Sequence, residues 1–296
     1  SAALLNALEL QKKKIDKVHF VVSGAGAAAT ACIELYVALG ARCENFTLFD
    51  KDGVLHRGRT DLDETKLKFA VAKSDITLEK AMKDADVFLG LSVGNILTQD
   101  MIKNMAKNPI VFAMANPDPE IDYEVAVAAR KDIIMATGRS DFPNQVNNVL
   151  GFPYIFRGAL DVRATQINEA MKLAAVRALA EMAKTAVPDI VNLAYNQKNM
   201  AFGPEYIIPK PLDPRLLASV APAVAKAAME SGVAKKQIED WDKYVLELNK
   251  RLGLDNQVMR AIGTKARRDP RRIVFAEADN QKILKAASII YDDGIA

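Results

Sequence analysis

Two glycines and an aspartate near the start of the chain have the residue types and spacing that dinucleotide chemistry needs. Gly24, Gly26 and Ala29 form the pattern G-x-G-x-x-A, and Asp50 follows roughly 20 residues later. The first glycine allows a tight turn, the second removes a Cβ where a pyrophosphate must approach the backbone, and the third position permits close helix–strand packing. The acid accepts a hydrogen bond from a ribose hydroxyl. The spacing therefore predicts a dinucleotide-binding site.

The elements around this pattern supply the context that it requires. Residues 20–22 are apolar and predict a buried strand, the alanine-rich stretch up to Gly40 predicts a helix, and residues 45–50 predict a second strand that ends in the acid. A helix that begins at the glycine turn directs its free N–H groups and the positive end of its dipole at the pyrophosphate. This order of elements predicts a Rossmann-like domain.

Alternating strands and helices extend the same pattern into a doubly wound parallel sheet. Further strands are predicted at residues 86–90, 110–115 and 133–136, and helices at 63–72, 77–83 and 122–131. Ligands in such sheets bind beyond the carboxyl ends of the strands. Five loops are therefore expected to meet at one crevice, and they contain Gly24, Asp50, Ser92, Asn116 and Gly138.

The second half of the chain predicts helices and an extended segment. Helices are expected at 166–184 and 214–252, whereas four prolines within 203–214 predict extended backbone. Residues 273–275 predict a strand, followed by a helix that Asp279 could cap. The predicted fold class is α/β, with a Rossmann-like sheet followed by a helical segment and the start of a second α/β domain. The predicted domains are 1–185 (dinucleotide-binding), 186–265 (extended segment and helices) and 266–296 (linker and first strand and helix of the second domain).

Composition excludes several classes of function. The net charge of +3 is too small to indicate a nucleic-acid partner, and two cysteines and two histidines predict neither a disulfide framework nor a histidine-based metal site. No stretch has the length of a membrane span and no signal peptide is recognisable, so a cytoplasmic protein without membrane contact is expected. The chain begins at a serine inside a helical pattern, and both of its ends are expected to be cut from a longer protein.

Two asparagine-containing loops, taken with the glycine turn, resemble those of malic enzymes. They are Asn116-Pro-Asp-Pro-Glu and Thr137-Gly-Arg-Ser-Asp-Phe-Pro-Asn-Gln-Val-Asn147-Asn148. The segment Tyr206-Ile-Ile-Pro-Lys-Pro-Leu-Asp213 is also similar to that family. Arg272-Ile-Val-Phe-Ala-Glu-Ala-Asp-Asn280 resembles the opening of the phosphotransacetylase-like domain that follows the catalytic part in the large bacterial NADP-dependent form. The resemblance covers nearly the whole chain.

The resemblance implies oxidative decarboxylation of (S)-malate to pyruvate and carbon dioxide, with reduction of NADP or NAD and a divalent metal, Mg or Mn. In the family the acid and base are a tyrosine and a lysine, and acidic residues bind the metal, all upstream of the matched region. No catalytic residue and no metal ligand is therefore assigned in this chain. The isolated chain is expected to be inactive, and a malate-binding homo-oligomer is implied for the longer protein.

The resemblance also implies which residues contact the ligands. The implied cofactor contacts are Gly24, Ala25, Gly26, Ala27 and Ala28 for the pyrophosphate, Asp50 and Lys51 for the adenosine ribose, and Ser92, Val93 and Gly94 for the cofactor edge. Asn116 would reach both the nicotinamide side and malate, and Asn147 and Asn148 would reach malate. For Asn116 the alternative is a strand-end turn held by its own side chain. For Asn148 the alternative is a helix cap.

Three questions stay open from the sequence. Asp50 favours NAD, whereas the cations Lys51, His56, Arg57 and Arg59 favour NADP, and we expect NADP. A related dehydrogenase that acts on an amino acid or a folate is a second possible function, because a Rossmann domain alone does not select a substrate. The third is a non-catalytic dinucleotide-binding or assembly module.

Overall fold

The computed structural model describes residues 1–252, 257–277 and 279–295, which form two compact units. Unit 1 comprises Ser1–Asn147 and Gly203–Ile208, and unit 2 comprises Asn148–Phe202 and Pro209–Ala296. The predicted domain division at residues 185 and 265 stays a prediction.

Unit 1 is built on a six-stranded sheet with the strand order β3-β2-β1-β4-β5-β6. Neighbouring strands are parallel except β3, which pairs antiparallel with β2. The doubly wound α/β fold is thus confirmed. The strands are β1 (Phe20–Ser23), β2 (Phe46–Asp50), β3 (Gly53–Val54), β4 (Val87–Gly90), β5 (Ile110–Ala113) and β6 (Ile134–Thr137).

The short helices of unit 1 begin at polar caps that satisfy their first N–H groups. The side chains of Asp63, Thr77, Thr98 and Asp122 each accept a hydrogen bond from a first-turn N–H. The helix predicted at 63–72 is shorter in the structure, because Val71 leaves it to form a β-bridge. The helices are α1 (Ala2–Leu10), α2 (Ala27–Ala38), α3 (Glu64–Leu67), α4 (Leu78–Met82), α5 (Gln99–Lys103) and α6 (Tyr123–Ala129).

The core of unit 1 lies on both faces of the sheet, as continuous apolar strands require. Every residue of β1, β4, β5 and β6 is buried. On one face the rings of Phe20 and Phe46 stack with centroids 4.5 Å apart. The segment Gly203–Ile208 is held by Asn144, whose side chain donates to the Met135 carbonyl at 3.0 Å and accepts from the Ile207 N–H at 2.9 Å. The extended backbone predicted at 203–214 is wrong for this part, because residues 204 and 205 form a turn across which the Tyr206 N–H donates to the Gly203 carbonyl at 2.9 Å.

Unit 2 is helical. The helix α10 (Arg215–Glu230) packs against α7 (Phe152–Asp161) and α8 (Glu169–Lys184). A Cβ on Gly158 of α7 would lie 2.4 Å from the Ala221 carbonyl of α10, so the two backbones approach closely. Tyr244 of α11 contacts Trp241 edge to face and donates to Asp161 at 2.6 Å. The helices are α7 (Phe152–Asp161), α8 (Glu169–Lys184), α9 (Asp189–Ala194), α10 (Arg215–Glu230), α11 (Trp241–Arg251), α12 (Gln257–Arg268) and α13 (Gln281–Asp292).

Three predictions for unit 2 need correction. The helix predicted at 214–252 is interrupted at 231–240, where Gly232 adopts a positive φ of 74°. Residues 273–275 are not a strand, because a strand needs a hydrogen-bonded neighbour and this segment pairs with none among the described residues. Asn280 rather than Asp279 caps α13. None of the helices in the described ranges is long and apolar enough to cross a bilayer.

Candidate dinucleotide-binding site

The strand order of unit 1 creates a crevice at the carboxyl edge of the sheet, between β1 and β4. From β1 the chain runs to β2 on one side, and it later returns to β4 on the other side. The loops that follow β1 and β4 therefore diverge at this point, which is where open α/β sheets bind ligands. The predicted glycine turn follows β1, and the predicted Ser92 loop follows β4.

Gly24 makes the turn out of β1, and its surroundings require a glycine. Its φ is 109°, and a Cβ at this position would lie 2.6 Å from the Leu91 carbonyl oxygen. Its N–H donates to the Phe49 carbonyl at 2.8 Å, which ties the turn to β2. The glycine turn thus contacts β2 on one side and Leu91, the residue that follows β4, on the other.

Gly26 is different, because its Cα faces open space. No atom lies within 4 Å of a Cβ built at this position, and Gly26, Ala27 and Ala28 are exposed where α2 begins. The first turn of α2 contains no acidic residue. Exposed N–H groups at the positive end of a 12-residue helix suit a pyrophosphate.

Asp50 lies at the end of β2 and is paired with an arginine. The Arg59 guanidinium donates to both carboxylate oxygens at 2.8 Å, and the Asp52 N–H donates to one of them at 2.9 Å. These hydrogen bonds, chiefly those from Arg59, lower the pKa of Asp50. Arg59 also pairs with Asp61 at 2.6 Å. Lys51 is 88% exposed, with its Nζ 2.9 Å from Asp52.

Three carboxylates near the end of β2 lie close enough to share one ion, yet they do not fit a divalent metal. Oxygens of Asp50, Asp52 and Asp61 lie within 4.8 Å of one another. The Arg59 guanidinium lies between Asp50 and Asp61, and Lys51 neutralises Asp52. The cations of this chain already occupy the position that a metal would take.

The Ser92 loop is packed against the glycine turn on one side and the loop after β5 on the other. The hydroxyl oxygens of Ser23 and Ser92 are 2.7 Å apart. A Cβ on Gly94 would lie 2.6 Å from the Asp118 carbonyl oxygen, and the Asn95 N–H donates to the Pro119 carbonyl at 2.9 Å. Val93 is exposed. The three loops that follow β1, β4 and β5 therefore form one continuous surface.

Sequence reasoning missed Glu120, which is 0% exposed at the base of this surface. One carboxylate oxygen accepts from the Ser92 N–H at 3.2 Å and the other from the Ala115 N–H at 3.0 Å. Burial raises the pKa of the Glu120 carboxyl, while these N–H groups act in the opposite direction. The sequence contains one signal for it: β4 ends in Gly90, where a Cβ would lie 2.2 Å from the Glu120 carboxyl carbon.

The three asparagines predicted to contact malate are exposed. Asn116 follows β5 at the carboxyl edge, before a cis peptide bond to Pro117. Asn147 follows Val146, whose N–H donates to the Thr137 carbonyl at the end of β6 at 2.8 Å. Asn148 lies in unit 2, where it begins a short 3-10 helix; the N-cap of α7 is Gly151, so Asn148 does not cap that helix. Their contacts with malate stay predictions.

Comparison with known proteins identifies the family. The family model "Malic enzyme, NAD binding domain" matches residues 1–195. The chain is 51% identical to the NADP-dependent malic enzyme of Salmonella typhimurium and 48% identical to an NAD-dependent malic enzyme of Rhizobium meliloti. Each match covers 100% of this chain and 39% of the relative.

A solved structure gives the same result. The chain superimposes on the crystal structure of Entamoeba histolytica malic enzyme with a TM-score of 0.73 and 33% identity, over 98% of this chain and 57% of that one. The resemblance inferred from the sequence is confirmed, although the chain spans only 39% of the length of the Salmonella relative. The chain belongs to the malic enzyme family, and residues 1–195 match the NAD-binding domain of that family.

Proposed function

We propose that this chain supplies the dinucleotide-binding part of an enzyme that converts (S)-malate to pyruvate and carbon dioxide while reducing NADP. The observation that carries the proposal is the glycine turn at Gly24, which opens α2 at the crevice beside the end of β2. Relatives named NADP-dependent malic enzyme, 50% or more identical to this chain, support the choice of reaction. An amino-acid or folate dehydrogenase has no comparable support.

Each part of the crevice has a role in this proposal. The N–H groups at the start of α2 bind the pyrophosphate, Asp50 and Lys51 bind the adenosine ribose, and residues 92–94 contact the cofactor edge. When bound, NADP would supply the hydride acceptor for the oxidation of malate. Asn116 and Asn147, with Asn148, hydrogen-bond the malate hydroxyl or carboxylate. Amides suit this task because they add no charge.

The preference for NADP is supported by the charges around Asp50. An unpaired acid at the end of β2 would repel a 2′-phosphate, but both oxygens of Asp50 are neutralised by Arg59. Lys51 is exposed and lies on the rim, where it can turn from Asp52 to a phosphate. Relatives named NADP-dependent and NAD-dependent both match this chain. The preference for NADP is therefore supported mainly by the charges around Asp50 and less by sequence similarity.

The remaining groups of the reaction are proposed to come from outside this chain. They are the tyrosine and lysine that act as acid and base, and the carboxylates that hold Mg or Mn. We further propose that the complete protein is a homo-oligomer in the cytoplasm. The free thiols of Cys32 and Cys43 are consistent with a reducing compartment.

Cofactor binding is tested by titrating the purified chain with NADP and with NAD. We expect NADP to bind more tightly, and Lys51→Ala to weaken NADP binding roughly tenfold while changing NAD binding less than about twofold, because one charge-assisted phosphate contact is lost. Lys103→Ala is the matched control, since Lys103 also pairs with an aspartate, Asp100, at 3.2 Å. Tighter NAD binding that Lys51→Ala does not affect would overturn the NADP preference. Failure to bind either dinucleotide would overturn the proposed function.

The malate role is tested in the complete protein. Asn147→Ala should raise the KM for malate at least about fivefold and leave the KM for NADP nearly unchanged, because a lost hydrogen bond to substrate costs about 1 kcal/mol. Asn104→Ala is the control, since Asn104 is an exposed asparagine at the end of α5. An equal effect on both KM values would contradict the assignment of Asn147 to malate.

A further inference from the structure

We infer that Glu120 is a positioning residue that holds the nicotinamide half of the cofactor crevice, by joining the loop after β4 to the loop after β5. The inference rests on the proposed function and names a residue that the proposal does not use. Glu120 is fully buried, so it acts through the backbone of its neighbours and not by touching the cofactor.

The two oxygens of one carboxylate connect segments that are distant in sequence. Ser92 lies 28 positions before Glu120 and Ala115 lies five before it, and the N–H of each donates to a different oxygen, at 3.2 and 3.0 Å. Hydrogen bonds to a charged acceptor are roughly twice as strong as those to a neutral one. A single side chain therefore fixes the distance between the two loops.

The fold reserves space for this carboxylate. A Cβ on Gly90, the last residue of β4, would lie 2.2 Å from the Glu120 carboxyl carbon, so no other residue fits beside it. The backbone around it is also tied across the loops, since the Leu97 N–H donates to the Glu120 carbonyl at 2.9 Å. Burying this acid has a desolvation cost, which the N–H groups of Ser92 and Ala115 offset, and an apolar side chain in its place would leave both N–H groups without an acceptor.

The position of Glu120 limits its effect to one half of the ligand. In the proposed pose the adenosine end lies at β2, on one side of β1, so the nicotinamide end lies on the other side, over the loops after β4 and β5. Ser92 and Asn116 are proposed to contact the nicotinamide end. Glu120 binds the N–H of Ser92 directly, and it binds the N–H of Ala115, the residue before Asn116. A change at Glu120 should therefore weaken binding of the whole dinucleotide, but it should not weaken binding of a ligand that contains only the adenosine half.

The test uses Glu120→Gln and two ligands. The amide keeps the volume but places an NH₂ group opposite one of the two backbone N–H groups, so that one accepted hydrogen bond is lost. We expect the Kd for NADP to rise roughly tenfold and the Kd for adenosine 2′,5′-bisphosphate, which lacks the nicotinamide half, to stay unchanged. Amide hydrogen exchange should accelerate at whichever of Ser92 and Ala115 faces the new NH₂ group.

Two further variants separate positioning from general stability. Asp132→Asn is the matched control, because Asp132 also binds a loop N–H, that of Asn108 at 2.8 Å, but at the opposite edge of the sheet. It should lower the thermal midpoint and leave both Kd values unchanged. Glu120→Asp keeps the charge but is one methylene shorter, and it should give an intermediate Kd for NADP, with folding checked by circular dichroism.

The outcomes distinguish this inference from the proposed function. Equal weakening of NADP and of the bisphosphate by Glu120→Gln, or no weakening of either in a folded variant, would overturn the role of Glu120 alone. Unchanged exchange at Ser92 and Ala115 would do the same. A wild-type chain that binds neither ligand would overturn the proposed function instead.

Discussion

Two glycines of unit 1 have nearly the same positive φ but different surroundings. Gly24 and Gly53 have φ values of 109° and 107°. At Gly24 a Cβ would collide with the Leu91 carbonyl, whereas at Gly53 no atom lies within 4 Å. The pair therefore separates two costs that usually occur together, backbone strain and steric overlap.

Substituting alanine at these two positions tests that separation. Gly53→Ala should lower the free energy of unfolding by about 1 kcal/mol, the cost of a left-handed backbone for alanine. Gly24→Ala should cost about 3 kcal/mol or more, because overlap with Leu91 adds to the strain. Urea denaturation measures both. Equal losses would show that the Leu91 contact relaxes without cost. Only Gly24→Ala should also weaken NADP binding.

The stability of the protein should depend on pH through carboxyl groups whose pKa is lowered by folding, such as that of Asp132. Hydrogen bonds from Arg130 lower the pKa of Asp132 from its ordinary value of 3.8 to about 2. A carboxylate with a lowered pKa in the folded state stabilises the protein above its unfolded pKa, and this contribution is lost as the pH falls from about 4 to 2. The contribution of Glu120 to stability has the opposite pH dependence. Because folding raises its pKa, this contribution declines as the pH rises above the pKa that Glu120 has in the unfolded chain.

We therefore expect the loss of stability between pH 4 and 2 to be smaller in Asp132→Asn than in the wild type. The variant should be less stable at pH 7, because the hydrogen bonds to Asn108 and Arg130 are weakened. Denaturation midpoints at pH 7, 4 and 3 provide the measurement. Parallel pH profiles for the two proteins would exclude Asp132 as a contributor.

Among the elements, α2 combines a structural and a ligand-binding role at its first turn. That turn contains no acid, although an acid there would interact favourably with the helix dipole. The arrangement leaves the positive end of the helix available to an anion. Stability and cofactor binding should therefore respond differently to a negative charge at this position.

Ala28→Asp and Ala31→Asp provide the comparison. Both alanines are exposed on α2, and both changes add the same charge. At position 28 the dipole contributes about 0.5 kcal/mol and roughly offsets the lower helix propensity of aspartate, so the thermal midpoint should hardly change. NADP binding should nevertheless weaken more than tenfold through repulsion of the pyrophosphate. Ala31→Asp should leave the Kd for NADP within about twofold of the wild-type value. Equal binding by the two variants would place the pyrophosphate elsewhere.

The sequence predicted those elements whose signals are local. The apolar runs of the parallel strands and the glycine turn can each be recognised from a few neighbouring residues. The same holds for capping threonines such as Thr77 and Thr98. β3 was missed because a two-residue strand has no periodicity and forms only when the turn after Asp50 brings it back. The strand predicted at 273–275 failed for the converse reason, since an apolar run is not a strand without a partner.

Side-chain pairings across loops could not be predicted from the sequence. Arg59 was recognised as a nearby cation, but its bidentate contact with Asp50 depends on how nine residues fold back. Glu120 was missed because hydropathy places a glutamate on the surface. Only the combined positions of Gly90, Ser92 and Ala115 provide its buried site.

At the scale of the whole molecule, binding and turnover should be separable. Unit 1 contains its own sheet and covering helices, so the chain should fold and keep its crevice. A proton acceptor, a proton donor and a metal each contribute orders of magnitude to rate, and all three are proposed to lie outside this chain. Assayed alone, the chain should therefore bind NADP weakly and turn over nothing measurable.

This expectation is tested by adding malate, NADP and manganese to the purified chain and following the absorbance of the reduced cofactor. The complete protein is the positive control. Turnover by the chain that disappears in Asn116→Ala would contradict the expectation, and it would mean that a base among these residues has been overlooked.

The position of Trp241 determines which part of the protein its intrinsic fluorescence monitors. It is the only tryptophan of the sequence, and it lies on α11 in unit 2, in contact with Tyr244. Intrinsic emission therefore follows the melting of that helix and its surroundings in unit 2. Spectroscopists should monitor occupancy of the Rossmann unit through the emission of the reduced nicotinamide itself.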